Sequence, residues 1–129
     1  MTINIQGNTI IKDSRTFVNY GLEHSALGSV SGATTINLLN GNYFSATIGG
    51  ATTWTFSNPL ASPNACGFVL ELTGAGAYAI TWPGAIRWPG GTAPTLTAAS
   101  GVDVLVFITD DGGTNWRGIA SMLDSKATP

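Results

Sequence analysis

The chain has 129 residues, enough for one domain with a real core but not for two. Only 9% of the residues are charged and mean hydropathy is positive, yet no apolar run approaches the roughly 20 residues needed to cross a bilayer, which excludes a membrane helix. The formal net charge is −2 and the five basic residues (Lys12, Arg15, Arg87, Arg117, Lys126) are scattered, so the clustered cations that neutralise phosphates are missing and nucleic acid is excluded as a partner.

In chain order, Thr2–Lys12 alternates, with Ile3 and Ile5, a Gln6-Gly7-Asn8 turn, then Ile10 and Ile11. Arg15–Tyr20 reads as a further short strand. The opening MTINIQGNTII lacks the basic, apolar and small-residue regions of a signal peptide, which points to synthesis in the cytoplasm. From Gly21 to Gly32 the chain scatters Leu22, Glu23, His24, Leu27 and Val30 among Gly and Ser. This fits either an arm docking on a partner or a hairpin lying on its own sheet, and the small and polar spacing favours the arm.

A regular β rhythm starts at Ala33. Thr34–Leu39 and Tyr43–Ile48 flank Asn40-Gly41-Asn42, a hairpin signal because Asn-Gly supplies positive φ. Gly49-Gly50 makes another turn, and Thr52–Ser57 places Trp54 and Phe56 on one face. Asn58-Pro59 stops that strand, Leu60–Ala65 is a loop, and Phe68–Thr73 alternates Phe68, Leu70 and Leu72 against Val69, Glu71 and Thr73. Tyr78–Trp82 returns after a Gly74–Gly76 turn. Val102–Thr109 carries Val102, Val104, Val106 and Ile108 on one face and Asp103, Leu105, Phe107 and Thr109 on the other. Apolar on both faces, it is expected to be buried on two sides, or on one side and in an interface. Asn115–Met122 closes the sheet and Asp124–Pro129 is expected to be a loose tail. The sum is an all-β protein, expected as an antiparallel β-sandwich or jelly-roll-like single domain over residues 33–122, with an N-terminal arm over 1–32 and a tail over 123–129.

No constellation reads as catalytic, cofactor-binding or metal-ligating. His24 stands between Glu23 and Ser25, but neighbours on an extended chain point to opposite faces and a triad must converge. Asp110-Asp111-Gly112-Gly113 fits a tight turn better than a Ca²⁺ loop, which wants about 6–8 oxygens; whether the two carboxylates take a cation is left open at this stage. Glu71, Asp103, Asp110 and Asp111 have no marker of the raised pKa that an acid catalyst needs. No glycine pair opens a phosphate cradle. The single Cys66 excludes an intrachain disulfide and reads as a small packed residue. Of the tryptophans, Trp54 and Trp116 sit at inward strand positions, whereas Trp82 and Trp88 flank prolines at strand ends. Trp88 is the candidate exposed ring for stacking on a sugar. A surface this poor in charge implies cover by copies of itself or by another protein.

The stretches TTWTFSNPLAS (Thr52–Ser62), GFVLELTG (Gly67–Gly74), AITWPGAIRWPGGTAPTLT (Ala79–Thr97) and DVLVFITDDGGTNWRG (Asp103–Gly118) resemble a β-sandwich module of tail-fibre and other virion surface proteins of tailed bacteriophages. The resemblance covers roughly Ala33 to Met122 and implies a structural module, built into homotrimers, with no catalytic residues, cofactor or metal to carry over. The short length then favours an outer capsid decoration (cement) protein that binds the major capsid protein from the virion exterior. Its capsid-contacting arm would hold Ile3, Ile5, Ile10, Arg15, Phe17 and Tyr20. The alternative is a tail-fibre or spike module binding a host receptor or glycan, with Trp88 as its exposed ring.

Overall fold

The computed structural model describes residues 21–128 and, before them, the backbone of three strands: β1 (Ile3–Ile5), β2 (Asn8–Lys12) and β3 (Thr16–Phe17). These form an antiparallel sheet in the order β1-β2-β3, with Ile5 opposite Asn8 and Ile11 opposite Phe17.

A second sheet contains β4 (His24–Asn37), β5 (Tyr43–Ser57), β6 (Cys66–Thr73), β7 (Ile80–Thr81), β8 (Ile86–Arg87), β9 (Val102–Thr109) and β10 (Trp116–Met122). Its order is β4-β5-β6-β9-β10-β8, with β7 also on β5. The all-β class is as expected, but the sheet is mixed rather than antiparallel. β4, β5 and β6 run parallel, β9 is antiparallel to β6 and β10, and β8 is parallel to β10. The division expected at Gly32 falls inside β4, so the end of the segment assigned to an arm, from His24 on, is the first part of a strand of the sheet.

Parallel neighbours ordinarily need a crossover of a dozen or more residues, yet only residues 38–42 join β4 to β5. A straight strand of this length would run about 45 Å, and the connection can reach back at most about 22 Å. β4 must therefore bend until its end returns near its start. The bend is written into glycines. The register slips between Ala26 and Gly28 and between Val30 and Gly32, and both Gly28 and Gly32 hold φ near +70°. Opposite them, a Cβ on Gly49 or Gly50 of β5 would sit 3.1 Å from Ser29 Oγ or Ser31 Cβ.

The turn is closed by Asn42. The backbone N–H groups of Asn42 and Tyr43 both donate to the Glu23 carbonyl (3.0 and 3.1 Å), and Glu23 N–H donates to Asn42 Oδ1 (2.7 Å). Gly41 is required beside them, since a Cβ there would lie 2.6 Å from Glu23 O. Asn40-Gly41-Asn42 is thus not a hairpin but the point where one winding of the chain passes onto the next. His24, Tyr43 and Val69 are successive members of one stack, and Gly32, Thr52 and Ile80 of another.

The bend also makes the core. The second half of β5 comes over the inner face of β6, β9 and β10, where the Phe56 ring meets Phe68, Phe107 and Trp116 at 4.9, 5.0 and 5.3 Å. Phe44, Leu70, Leu72, Leu105 and Ile36 are among the buried residues around this cluster. Trp54 and Trp116 are buried as expected. Among the described residues Trp54 Nε1 has no hydrogen-bond partner. Leaving it unpaired costs about 1–3 kcal/mol, whereas removing roughly 200 Å² of indole from water contributes about 5 kcal/mol, so burial wins.

Asp103 is fully buried within this apolar wall. Its carboxylate accepts from Thr97 N–H (2.7 Å), Thr97 Oγ1 (2.7 Å) and Asp124 N–H (3.0 Å). Ser125 N–H donates to Val102 O at 2.7 Å. The start of the segment expected to be a loose tail is thereby tied to β9, along with the loop that carries Thr97.

These contacts rank two glycine substitutions. Gly28→Ala meets an unfavourable φ but open space and is expected to cost about 1 kcal/mol. Gly41→Ala drives a Cβ into a carbonyl and is expected to cost about 2–4 kcal/mol; urea denaturation of the two variants checks the order. Asp103→Ala, which strands three donors, is expected to cost at least about 3 kcal/mol in the same measurement and to release amide protection around Thr97 and Asp124 together.

Candidate interaction surface

Strand alternation gives the sheet an inner and an outer face, and in-register pairing arranges the outer face in rows. One row runs His24, Tyr43, Val69, Val106, Ile119; the next runs Ala26, Ser45, Glu71, Val104, Met122. On the far side of the first row, Gly67, Ile108 and Arg117 are aligned. The rows change character along their length: hydroxyls and an imidazole on β4 and β5, the Glu71 carboxylate on β6 at the border, and an apolar field over the rest of β6, β9 and β10.

The apolar field is exposed. Ile108, Met122 and Ile119 keep 49%, 50% and 52% of their surface, and Val104 and Val106 are half-buried. Leu22 stands across a shallow depression of about 320 Å³ floored by Val69, Val106 and Ile108. Charge is confined to the border, where Arg117 meets Asp110 at 3.5 Å with both side chains mostly in water. This is the layout of a protein interface, apolar at the centre and polar at the rim. It also resolves the two-faced pattern of Val102–Thr109: one face is core, and the other is open.

At the polar end, His24 Nε2 and Ser45 Oγ are 2.8 Å apart, the His24 ring stands edge-on to Tyr43 at 5.5 Å, and Tyr43 donates its phenolic proton to Glu71 Oε2 at 2.5 Å. The hydrogen bond to Glu71, with burial and the carboxylate's charge adding to it, raises the Tyr43 pKa above its ordinary value. The Glu23–His24–Ser25 trio does not converge; His24 finds Ser45 on the next winding instead. That pair could not be found from sequence, because it depends on which strand lies beside β4. Among the described residues the Glu71 carboxylate near this pair is bonded to Tyr43 and not to the imidazole.

In the Asp110–Gly113 loop the Asp111 carboxylate is engaged by donors of the chain itself. Asp111 Oδ1 accepts from Thr109 Oγ1 (3.0 Å) and Asn115 N–H (2.9 Å), and Oδ2 accepts from Asn115 Nδ2 (2.9 Å). Its oxygens are spent holding the β9–β10 turn, and among the described residues no cluster of three metal-ligating side chains occurs. Trp88 is half-buried, its ring edge-on to Trp82 at 5.4 Å and to Phe107 at 5.7 Å, so the expected exposed ring packs onto the core. Cys66 opens β6 and its sulfur accepts from Leu60 N–H at 3.3 Å. Of the expected arm contacts, Ile3, Ile5, Ile10 and Phe17 are placed in strands by backbone alone, and Arg15 and Tyr20 lie outside the described residues.

Comparison of the chain with protein-family models, with curated proteins and with solved structures gave no match. The surface is therefore argued from its own residues.

The Asn115 bonds, with those of Thr109 and the charge of Arg117, outweigh burial and hold the Asp111 pKa below the carboxylate range. A lowered folded pKa stabilises above the unfolded value of about 3.9, and the effect is lost as pH falls through the folded value. The Asn115 amide signal is expected to be constant from neutral pH to about pH 5 and to shift only on acidification below about 3.9, a step absent in Asp111→Asn. Trp88→Ala is expected to lower the unfolding free energy by about 2–4 kcal/mol, as a core truncation does, in a denaturant titration.

Proposed function

We propose that this protein is a structural, non-catalytic assembly module, and that its place is the outer shell of a tailed-bacteriophage virion, where it decorates the capsid. The observation that carries the first part is the exposed apolar field of Val104, Val106, Ile108, Ile119 and Met122, set on a rigid sheet with charge only at its border. Such a field in water is unfavourable by about 25 cal/mol for each Å² left uncovered. A surface of this kind is retained where a partner covers it.

The second part leans on the resemblance of Thr52–Ser62, Gly67–Gly74, Ala79–Thr97 and Asp103–Gly118 to virion surface modules, which fits a homotrimer joined through this field and seated on the major capsid protein. The folding-over of the sheet at its glycine corners suits that comparison, because it brings Phe56 of β5 against Phe68, Phe107 and Trp116. The packing of Trp88 on Trp82 and Phe107 weighs against receptor or glycan binding through that ring. The capsid-contacting residues would then lie before Gly21, since β4 belongs to the sheet.

Val106→Lys places an ammonium at the centre of the field and is expected to abolish assembly in threes while leaving the fold intact, read by sedimentation velocity and circular dichroism. Purified protein added to undecorated phage capsids is expected to give regular density on the shell by electron microscopy; density on tails alone would overturn the capsid reading.

A further inference from the structure

We propose that the free edge of β4 is a second, separate contact, at which two copies of this chain pair β4 against β4 in antiparallel fashion about a twofold axis near Val30. β4 is the first strand in the order of its sheet, and among the described residues no strand pairs with its outer edge. Half the peptide groups of such an edge have no partner in the sheet, and natural proteins normally blunt it with charge, proline, brevity or bulges. β4 runs 14 residues, HSALGSVSGATTIN, without Asp, Glu, Lys, Arg or Pro, and is interrupted by its two register slips, at Ala26/Gly28 and Val30/Gly32.

The core is open at the same end. Leu27 and Val30 are only half-buried, whereas Ile48, the register partner of Val30 one winding on, is 4% exposed. A stack of windings whose last layer is unfinished in both backbone and core needs a cap.

The bend identifies the cap. A strand lying along β4 must turn where β4 turns, between Ala26 and Gly32. The strands β1, β2 and β3 hold 3, 5 and 2 residues and pair with one another, too short to follow the edge. A second β4 has the same corner near the middle of its length, so a twofold axis through that corner superposes bend on bend, giving a closed isologous contact. The pairing does not depend on the capsid reading and uses none of the outer face.

A charge swap at Val30 tests it in the full chain. Val30 is half-buried at the margin of the core, close to the axis, so Val30→Lys brings two ammonium groups together across it and Val30→Glu two carboxylates. In the Val106→Lys background, native mass spectrometry is expected to find a dimer. Adding Val30→Lys or Val30→Glu is expected to weaken that dimer at least roughly tenfold, and mixing the two in equal amounts to restore it as a heterodimer, which a misfolded variant would not do. A monomer in Val106→Lys alone, or β4 amide protection in the wild type that does not rise with protein concentration, overturns the inference, the latter pointing to a cap from residues 1–20. Dimers lost on Val30→Lys with assembly unaffected by Val106→Lys would instead overturn the outer-face reading and leave this one standing.

Discussion

The architecture depends on bringing the end of β4 back to its own beginning. Two parallel strands joined by residues 38–42 can exist only if each is folded over, and the corner at Gly28, Gly32, Gly49 and Gly50 makes that possible. Once the corner exists, the other features follow. Asn42 closes the winding on Glu23, Tyr43 lies beside His24, and the second half of β5 is laid over the strands that come later in the chain. The aromatic contacts among Phe56, Phe68, Phe107 and Trp116 fill the space that the fold-over encloses. Each is worth about 0.5–1.5 kcal/mol beyond area burial, which makes the fold-over favourable as well as sterically possible.

A chain with so few charges uses its carboxylates sparingly and inside hydrogen-bond networks. Asp103 ties a loop and the C-terminal residues to the central strand, and Asp111 holds the neighbouring turn through Asn115 and Thr109. Both have their oxygens occupied by donors from the chain itself. The acidic residues therefore act as fasteners, while the exposed ion pair Arg117–Asp110 contributes little.

With Asp103 and Asp111 engaged inside the fold, two of the uncovered surfaces are an apolar field and a backbone edge. The outer field on β6, β9 and β10 offers hydrophobic area without direction, and the β4 edge offers hydrogen bonds with register. Apolar burial drives association in proportion to area, whereas a strand edge adds specificity because a slip of one residue reverses every side chain. A protein with both can make two kinds of contact that do not compete.

Much of this was legible in the amino-acid sequence. The alternation along Val102–Thr109 and Phe68–Thr73 assigned each residue to a face, and the inward positions of Trp54 and Trp116 held, because the period of a strand is local and its side chains have only two directions to point. The same alternation marked one face of Val102–Thr109 as core, while the openness of the other face was decided by the tertiary structure. Strand partners and their direction were not legible. Asn40-Gly41-Asn42 permits a tight reversal, but whether it makes a hairpin or passes a bent strand onto its next winding depends on curvature set by glycines a dozen residues away. The assignment of Gly21–Gly32 to an arm failed for the same reason, since the glycines that weakened it as a strand are the ones that bend it. The packed position of Trp88 and the meeting of His24 with Ser45 were likewise decided by tertiary structure, because each contact joins residues that only the stacking of separate windings brings together.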